Sequence, residues 1–192
     1  MNGFNIYLTG VGGQGIGLLS EIILRAADHS GQPVKSVDTH GLAQRGGIVV
    51  SMIRTGTGVF SPLIPAGQAD LAIALERHEA LRAAGTMLKE GGRLVYYDTV
   101  WQPLPVRLNE YREVARDDVV ALCLARRIRV DAVFQPELPD TRMQNMVVLG
   151  TLCREAMIPG IDIDHYRRAM ADLMSEKRLA DNTKVFDQAR GG

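Results

Sequence analysis

Two short stretches of this chain carry residues whose types and spacing could do chemistry. In "GVGGQGIG", Gly10, Gly12 and Gly15 spell G-x-G-x-x-G between an apolar run and a helical pattern. Such glycines permit a tight turn and close approach of backbone to a ligand, and the following helix offers free N–H groups at a positive dipole end. Gly13 and Gln14 thicken the motif, and the Gln14 amide could donate or accept hydrogen bonds at the mouth of the loop. Asp38 follows at about the interval, ~20 residues, at which an acid would take the ribose of a dinucleotide. Directly after it, "THGLAQRGG" packs Thr39, His40, Gln44 and Arg45 ahead of Gly46 and Gly47. His40 could act as a base or donor, and the planar fork of Arg45 could clamp a carboxylate or phosphate. The two glycines would let backbone come near a ligand or a partner chain. A plain dinucleotide fold needs no such cluster, so the second stretch shifts the weight away from NAD(P) without removing it.

Other chemistries find less support. His29, His40, His78 and His165 are scattered, with no metal spacing. There is no G-x-S-x-G for a serine hydrolase and no G-K-S/T after the glycines for a Walker A loop. Cys123 and Cys153 lie far apart in apolar helical patterns, so this chain is expected to hold no iron–sulfur cluster or cysteine zinc site, and buried thiols suit a reducing cytoplasm. Glu76 ends a buried strand and starts a helix, where an N-terminal acid is its commoner role. Twenty-two basic and 22 acidic residues cancel to a formal net charge of +0, which argues against nucleic acid or an anionic membrane as a global partner. The most basic patch, "ARRIR" from Ala125, fits a helix end. No apolar run is long enough for a membrane span, and "MNGFNIYL" does not read as a signal peptide.

The elements that must position the two stretches read as alternating strands and helices. Strands are expected at 4–8, 34–38, 48–54, 69–75 and 93–98. The segment 59–64 returns from a "TGTG" turn as the second arm of a hairpin with 48–54. Helices are expected where Ile16, Leu19, Ile22, Ile23 and Ala26 recur, over 76–88 and over 117–127. Two more follow, at 145–156 behind a "TRMQ" capping box and around Ile163, Tyr166, Met170 and Leu173. Residues 101–109 are Pro-interrupted loop, and the polar residues 178–192 fit a helix or a loose tail. With 192 residues, the chain is expected to form one α/β domain. Its architecture is a three-layer α/β/α sandwich with a mostly parallel sheet plus an antiparallel hairpin. The loops at 9–15 and 38–47, and the one near Glu76, then share the carboxyl edge of the sheet, where open α/β sheets bind ligands.

Taken in order, "GVGGQGIG", "THGLAQRGG", "SPLI", "ADLAIALE", the glycines at 91–92 and "NMVVLG" resemble the gamma subunit, or gamma domain, of 2-oxoacid:ferredoxin oxidoreductases over roughly residues 4–175. The likeness is nearest to the small subunit of the indolepyruvate-type enzymes. The resemblance implies an accessory subunit, not catalytic alone, of a cytoplasmic multisubunit enzyme of anaerobic metabolism. Such an enzyme oxidatively decarboxylates a 2-oxoacid such as pyruvate or indolepyruvate, releases an acyl-CoA and reduces ferredoxin. Thiamine pyrophosphate and iron–sulfur clusters are then expected in partner subunits, with coenzyme A as the one cofactor this chain would touch. Carried over by position, Gly10, Gly12, Gly13, Gln14 and Gly15 with Thr39, His40, Gly41, Gln44, Arg45, Gly46 and Gly47 would face coenzyme A or the neighbouring subunit. Asp38 stands where the family often has glutamate, which keeps the charge. An interface left without its partner would favour a homodimer of the isolated chain. The residues alone leave two rivals: an NAD(P)-dependent dehydrogenase using Asp38, and an assembly module that binds no small molecule.

Overall fold

Strand β1 (Phe4–Val11) is flanked on one side by an antiparallel neighbour and on the other by a parallel one, and this asymmetry organises the molecule. The computed structural model describes residues 3–40, 47–101 and 112–191. The elements after β1 are α1 (Ile16–His29), β2 (Val34–His40), β3 (Ile48–Thr55), β4 (Ala69–Ala74), α2 (Arg77–Thr86) and β5 (Leu88–Tyr97). Then come α3 (Arg116–Ala125), β6 (Arg129–Val133), a 3-10 turn (Thr141–Met143), α4 (Gln144–Arg154), α5 (Ile163–Leu173) and α6 (Glu176–Gly191). The sheet runs β2-β3-β1-β4-β5-β6. β3 pairs antiparallel with both β2 and β1, while β1–β4, β4–β5 and β5–β6 pair parallel. Only β3 is reversed, so the start of β3 meets the ends of β1 and β2 at one edge: His40 pairs with Val49, and Val11 with Ile48.

The expected three-layer sandwich with a mostly parallel sheet and an antiparallel hairpin is present, but the hairpin is a different one. It is β2–β3, joined through residues 41–47, and segment 59–64 forms no strand. The reason is local. Pro62 and Pro65 lack the donors a ladder needs, and the Arg54 guanidinium gathers the Ser61 and Leu63 carbonyls at 2.9 and 3.2 Å, folding the segment back as irregular chain.

Period-two alternation divides the core. Ile6 and Leu8 of β1 face α1, α4, α5 and α6 in one apolar cluster; Tyr7 faces the other side with Ala72, Ala83, Leu94, Tyr96 and Cys123, under α2 and α3. Helix α1 buries Ile16, Leu19, Ile22, Ile23 and Ala26 at the expected spacing and ends at Ser30, with Gly31 in the left-handed region just beyond. β5 starts earlier than expected, at Leu88, because Gly91 with φ +72° lies in an irregularity that shifts its pairing with β4 between Ala69 and Leu71. β6 escaped the sequence reading because its first residue belongs to the basic patch; its alternation of Val130 and Ala132 with Arg129 and Asp131 was the available signal. Arg126 does sit at a helix end, where it donates to the carbonyls of Ala84, Gly85 and Leu88 as α2 finishes. The "TRMQ" cap is corrected too. Asp140, one residue earlier, accepts from the Arg142 N–H at 2.9 Å, and Gln144 is buried.

Residues 176–191 form a helix. Val185 and Phe186 are buried, and the Phe186 ring lies 6.3 Å from that of Tyr166 on α5. Gly150 of α4 allows this docking, since a Cβ there would stand 2.5 Å from the Phe186 carbonyl.

Candidate functional site

The glycine loop is shaped from within. Gly10 packs so closely under α1 that a Cβ would meet Gln14 Oε1 and Ile16 Cγ1 at 2.9 Å. Gln14 is only 1% exposed. Its Oε1 accepts from the Val11 N–H at 2.7 Å and its Nε2 donates to the Leu75 carbonyl at 3.0 Å. The amide expected at the mouth of the loop therefore points inward and clamps the end of β1 to the end of β4. A buried amide with both ends engaged is a structural staple, so what the loop presents outward is backbone. Gly13 has φ +103° and open space where a Cβ would be.

The two motifs meet. The Gly12 N–H donates to the Gly47 carbonyl at 2.8 Å, joining the first loop to the end of the second. Gly10, Gly12, Gly13, Gln14, Gly15 and Gly47 are thus gathered at the carboxyl edge, and the backbone of Thr39 and His40 reaches the same edge as the last residues of β2. Gly41, Gln44, Arg45 and Gly46 lie outside the described residues.

Asp38 is placed differently from the acid of a dinucleotide fold. There the second strand lies beside the first; here β3 is inserted between them, so β2 stands two strand spacings, ~10 Å, from β1. The Asp38 carboxylate accepts from the Ser51 hydroxyl, and Ser20 Oγ lies 2.6 Å from Ser51 Oγ, so the acid is tied to β3 and α1.

Beside the glycine loop lies a cleft of about 900 Å³. One wall is Val11 to Gly13 and Gly15 to Leu18, with Val49. The other includes Asp140, Arg142, Asn145 and, from α6, Lys177 and Arg178. Of these second-wall residues, Arg142 falls within "TRMQ" and Asn145 opens "NMVVLG", while Asp140, Lys177 and Arg178 belong to no motif. Asn145 is 3% exposed, and its Nδ2 donates to the Gly15 carbonyl at 3.2 Å. Gly15 itself, with φ +83°, leaves no room for a side chain, since a Cβ would stand 2.5 Å from Asn145 Nδ2.

At the neighbouring strand end, Glu76 is 0% exposed and caps α2, accepting from the N–H groups of His78 and Glu79. Burial pushes its carboxyl up to about 7 against the lowering effect of those bonds. Glu79 accepts from Thr9 Oγ1 at 2.5 Å and is paired with Arg82. The Cys123 thiol is pushed up to about 11 by burial, and Cys153 is raised for the same reason, so neither is an activated nucleophile. Among the described residues no group of three His, Cys, Asp or Glu side chains could hold a metal, and no helix is long and apolar enough to cross a membrane.

Comparison with known proteins places this arrangement. The sequence model of the family described as pyruvate ferredoxin/flavodoxin oxidoreductase matches residues 5–191. The indolepyruvate oxidoreductase subunit IorB of Thermococcus kodakarensis is 39% identical, with 97% of this chain and 94% of that protein covered. The IorB subunit of Archaeoglobus fulgidus is 35% identical over 98% and 96%. Among solved structures, the gamma subunit of the keto/oxoacid ferredoxin oxidoreductase of Geobacter sulfurreducens has a TM-score of 0.66 at 20% identity, covering 98% of this chain and 96% of that one. The 2-oxoglutarate:ferredoxin oxidoreductase of Magnetococcus marinus, with 2-oxoglutarate, coenzyme A and succinyl-CoA bound, has a TM-score of 0.70 at 20% identity; this chain spans 31% of its length. At that identity the two structures show the shared fold.

Proposed function

The chain belongs to the pyruvate ferredoxin/flavodoxin oxidoreductase family, and we propose that it is the small subunit of an indolepyruvate-type 2-oxoacid:ferredoxin oxidoreductase that supplies the coenzyme A side and a subunit-packing surface. In such a complex a 2-oxoacid loses carbon dioxide and two electrons, the acyl group passes to the coenzyme A thiol, and ferredoxin takes the electrons. Thiamine pyrophosphate would supply the carbanion chemistry, and iron–sulfur clusters the electron path. Both would be held by partner subunits.

The observation that carries this reading is the Gly12–Gly47 backbone hydrogen bond, which makes one edge of two motifs beside the cleft. Coenzyme A fits that edge chemically. It brings phosphates to a helix N-terminus and needs backbone glycines to come close. The role of this chain would be binding and orientation: bare backbone at the loop, a clamped Gln14 that fixes its shape, and no group that reacts.

Hydrogen exchange on the assembled complex tests the reading. Coenzyme A should slow exchange in residues 10–19, NADH should not, and Asp38→Ala should leave the coenzyme A effect in place. Slowing by NADH that disappears in Asp38→Ala would overturn it in favour of a dinucleotide site.

A further inference from the structure

The two faces of the sheet are not covered alike. On one face α1 packs across β1, β2 and β3. On the other, α2 packs on β1, β4 and β5, and α3 on α2 and β6. There the described residues bring segment 59–64, not a helix, against β3: the Ile64 N–H donates to Met52 Sδ at 3.4 Å. The outer two strands thus lack the layer that the rest of the sheet has. Two strands are ~10 Å wide, which is the breadth of one helix, ~10–12 Å.

The side chains on this face are apolar in its middle. Register sets Val37 of β2 opposite Met52 of β3, on the side of Tyr7, and both are half-buried. Segment 59–64 adds Leu63 and Phe60, 58% and 92% exposed.

The charges at its end are an independent indication. Lys35 stands directly opposite Arg54 on the same face. Like charges so placed on antiparallel strands repel. Arg54 bonds to neutral oxygens, Asn5 Oδ1 at 2.8 Å and the Ser61 and Leu63 carbonyls, and Lys35 is exposed with no ion pair among the described residues. The acids of the neighbouring strands and helix are engaged elsewhere. Asp38 turns to the opposite face and Ser51, Asp70 is paired with Lys89, and Glu79 with Arg82. From Thr39 to Ala69 the sequence contains no Asp or Glu. A second copy would bring the same two cations to the contact, so self-association through this face is opposed.

We infer, resting on the reading of this chain as a subunit of a larger enzyme, that the α2 side of β2 and β3 seats one helix of a partner subunit. That helix is apolar along the stripe that meets Val37, Met52, Leu63 and Phe60, and carries an acid that reaches Lys35 and Arg54. It completes the missing layer, and its acid relieves the repulsion between the two cations.

Lys35→Glu tests this with effects of opposite sign. In the full chain purified alone it turns a repelling cross-strand pair into an attracting one, so the melting temperature should not fall. In the co-expressed complex the dissociation constant, read on dilution, should rise about tenfold and lose its dependence on salt. Phe60→Ser with Leu63→Ser, both exposed, should weaken the complex by at least as much. Leu124→Ser with Phe134→Ser, exposed apolar residues on α3 and just after β6, should leave it unchanged. An unchanged dissociation constant in both face variants, or an equal loss in the Leu124 and Phe134 variant, would overturn the inference. Face variants that split a homodimer and leave the complex intact would overturn it in favour of a second copy. If the wild-type chain joins no other subunit, the reading it rests on falls instead.

Discussion

Helices α1 and α2 start from adjacent parallel strands at the same edge of the sheet, yet their first turns are opposites. At α2 the chain supplies its own cap: the Glu76 carboxyl is buried against two N–H groups, and Glu79 adds a second acid in the first turn. At α1 there is neither cap nor acid, only glycine. The same first-turn N–H groups are capped internally in one case and left open to something from outside in the other. Two neighbouring strand–helix joints of similar geometry can thus be told apart by which one is finished. The unfinished one faces the cleft.

Three substitutions break or sharpen this contrast. Gly15→Val should do the most damage. It forces a β-branched residue to φ +83° and drives a Cβ into Asn145, at an expected loss of roughly 3–4 kcal/mol by denaturant unfolding. Glu76→Gln attacks the finished end, and its signature is in pH. The folded carboxyl titrates near 7 against an ordinary 4.5, so the folded state holds the extra proton between those values. Stability from this group is full below about 4.5 and is lost as pH rises through 7, a total on the order of 3 kcal/mol. Calorimetry from pH 4.5 to 7.5 should show the wild type losing melting temperature relative to Glu76→Gln. Parallel curves would mean that Glu76 is not the titrating group. Gly17→Glu has the smallest effect and is the most direct. Gly17 is exposed in the first turn of α1 with open space around it, so a glutamate there finishes the unfinished end. Stability should rise by about 0.5–1 kcal/mol while coenzyme A binding weakens, because the new carboxylate takes the ligand's place. A gain in both would remove the contrast.

The sequence made some of this readable and hid the rest for physical reasons. The α1 stripe and the strands at 4–8 and 69–75 follow from local periodicity, which burial enforces residue by residue. Choice of strand partner is not local. Ile48 to Arg54 reads as an arm that turns back onto 59–64, whereas it lies between β2 and β1, and only that insertion separates Asp38 from the glycine loop. Gln14 was recognisable as polar beside the glycines. Its inward direction depends on the Leu75 carbonyl, 61 positions away. Asn145 was legible only as the start of "NMVVLG", and Lys177 and Arg178 belong to no motif, because their place on the wall of the cleft comes from the tertiary fold. The polar pattern after Lys177 left a helix and a loose tail equally open, since the contact that decides between them is the close approach of Phe186 to Gly150.

That approach bears on how the protein is made. The Asn145–Gly15 bond closes a span of 130 residues, and α6 is later still in the chain. Contacts of such separation form late in folding, because loop-closure entropy opposes them until the intervening sheet exists. A growing polypeptide emerging from the ribosome would display its glycine loop early, and the cleft beside that loop would gain its second wall only once residues 177–182 had been translated and docked.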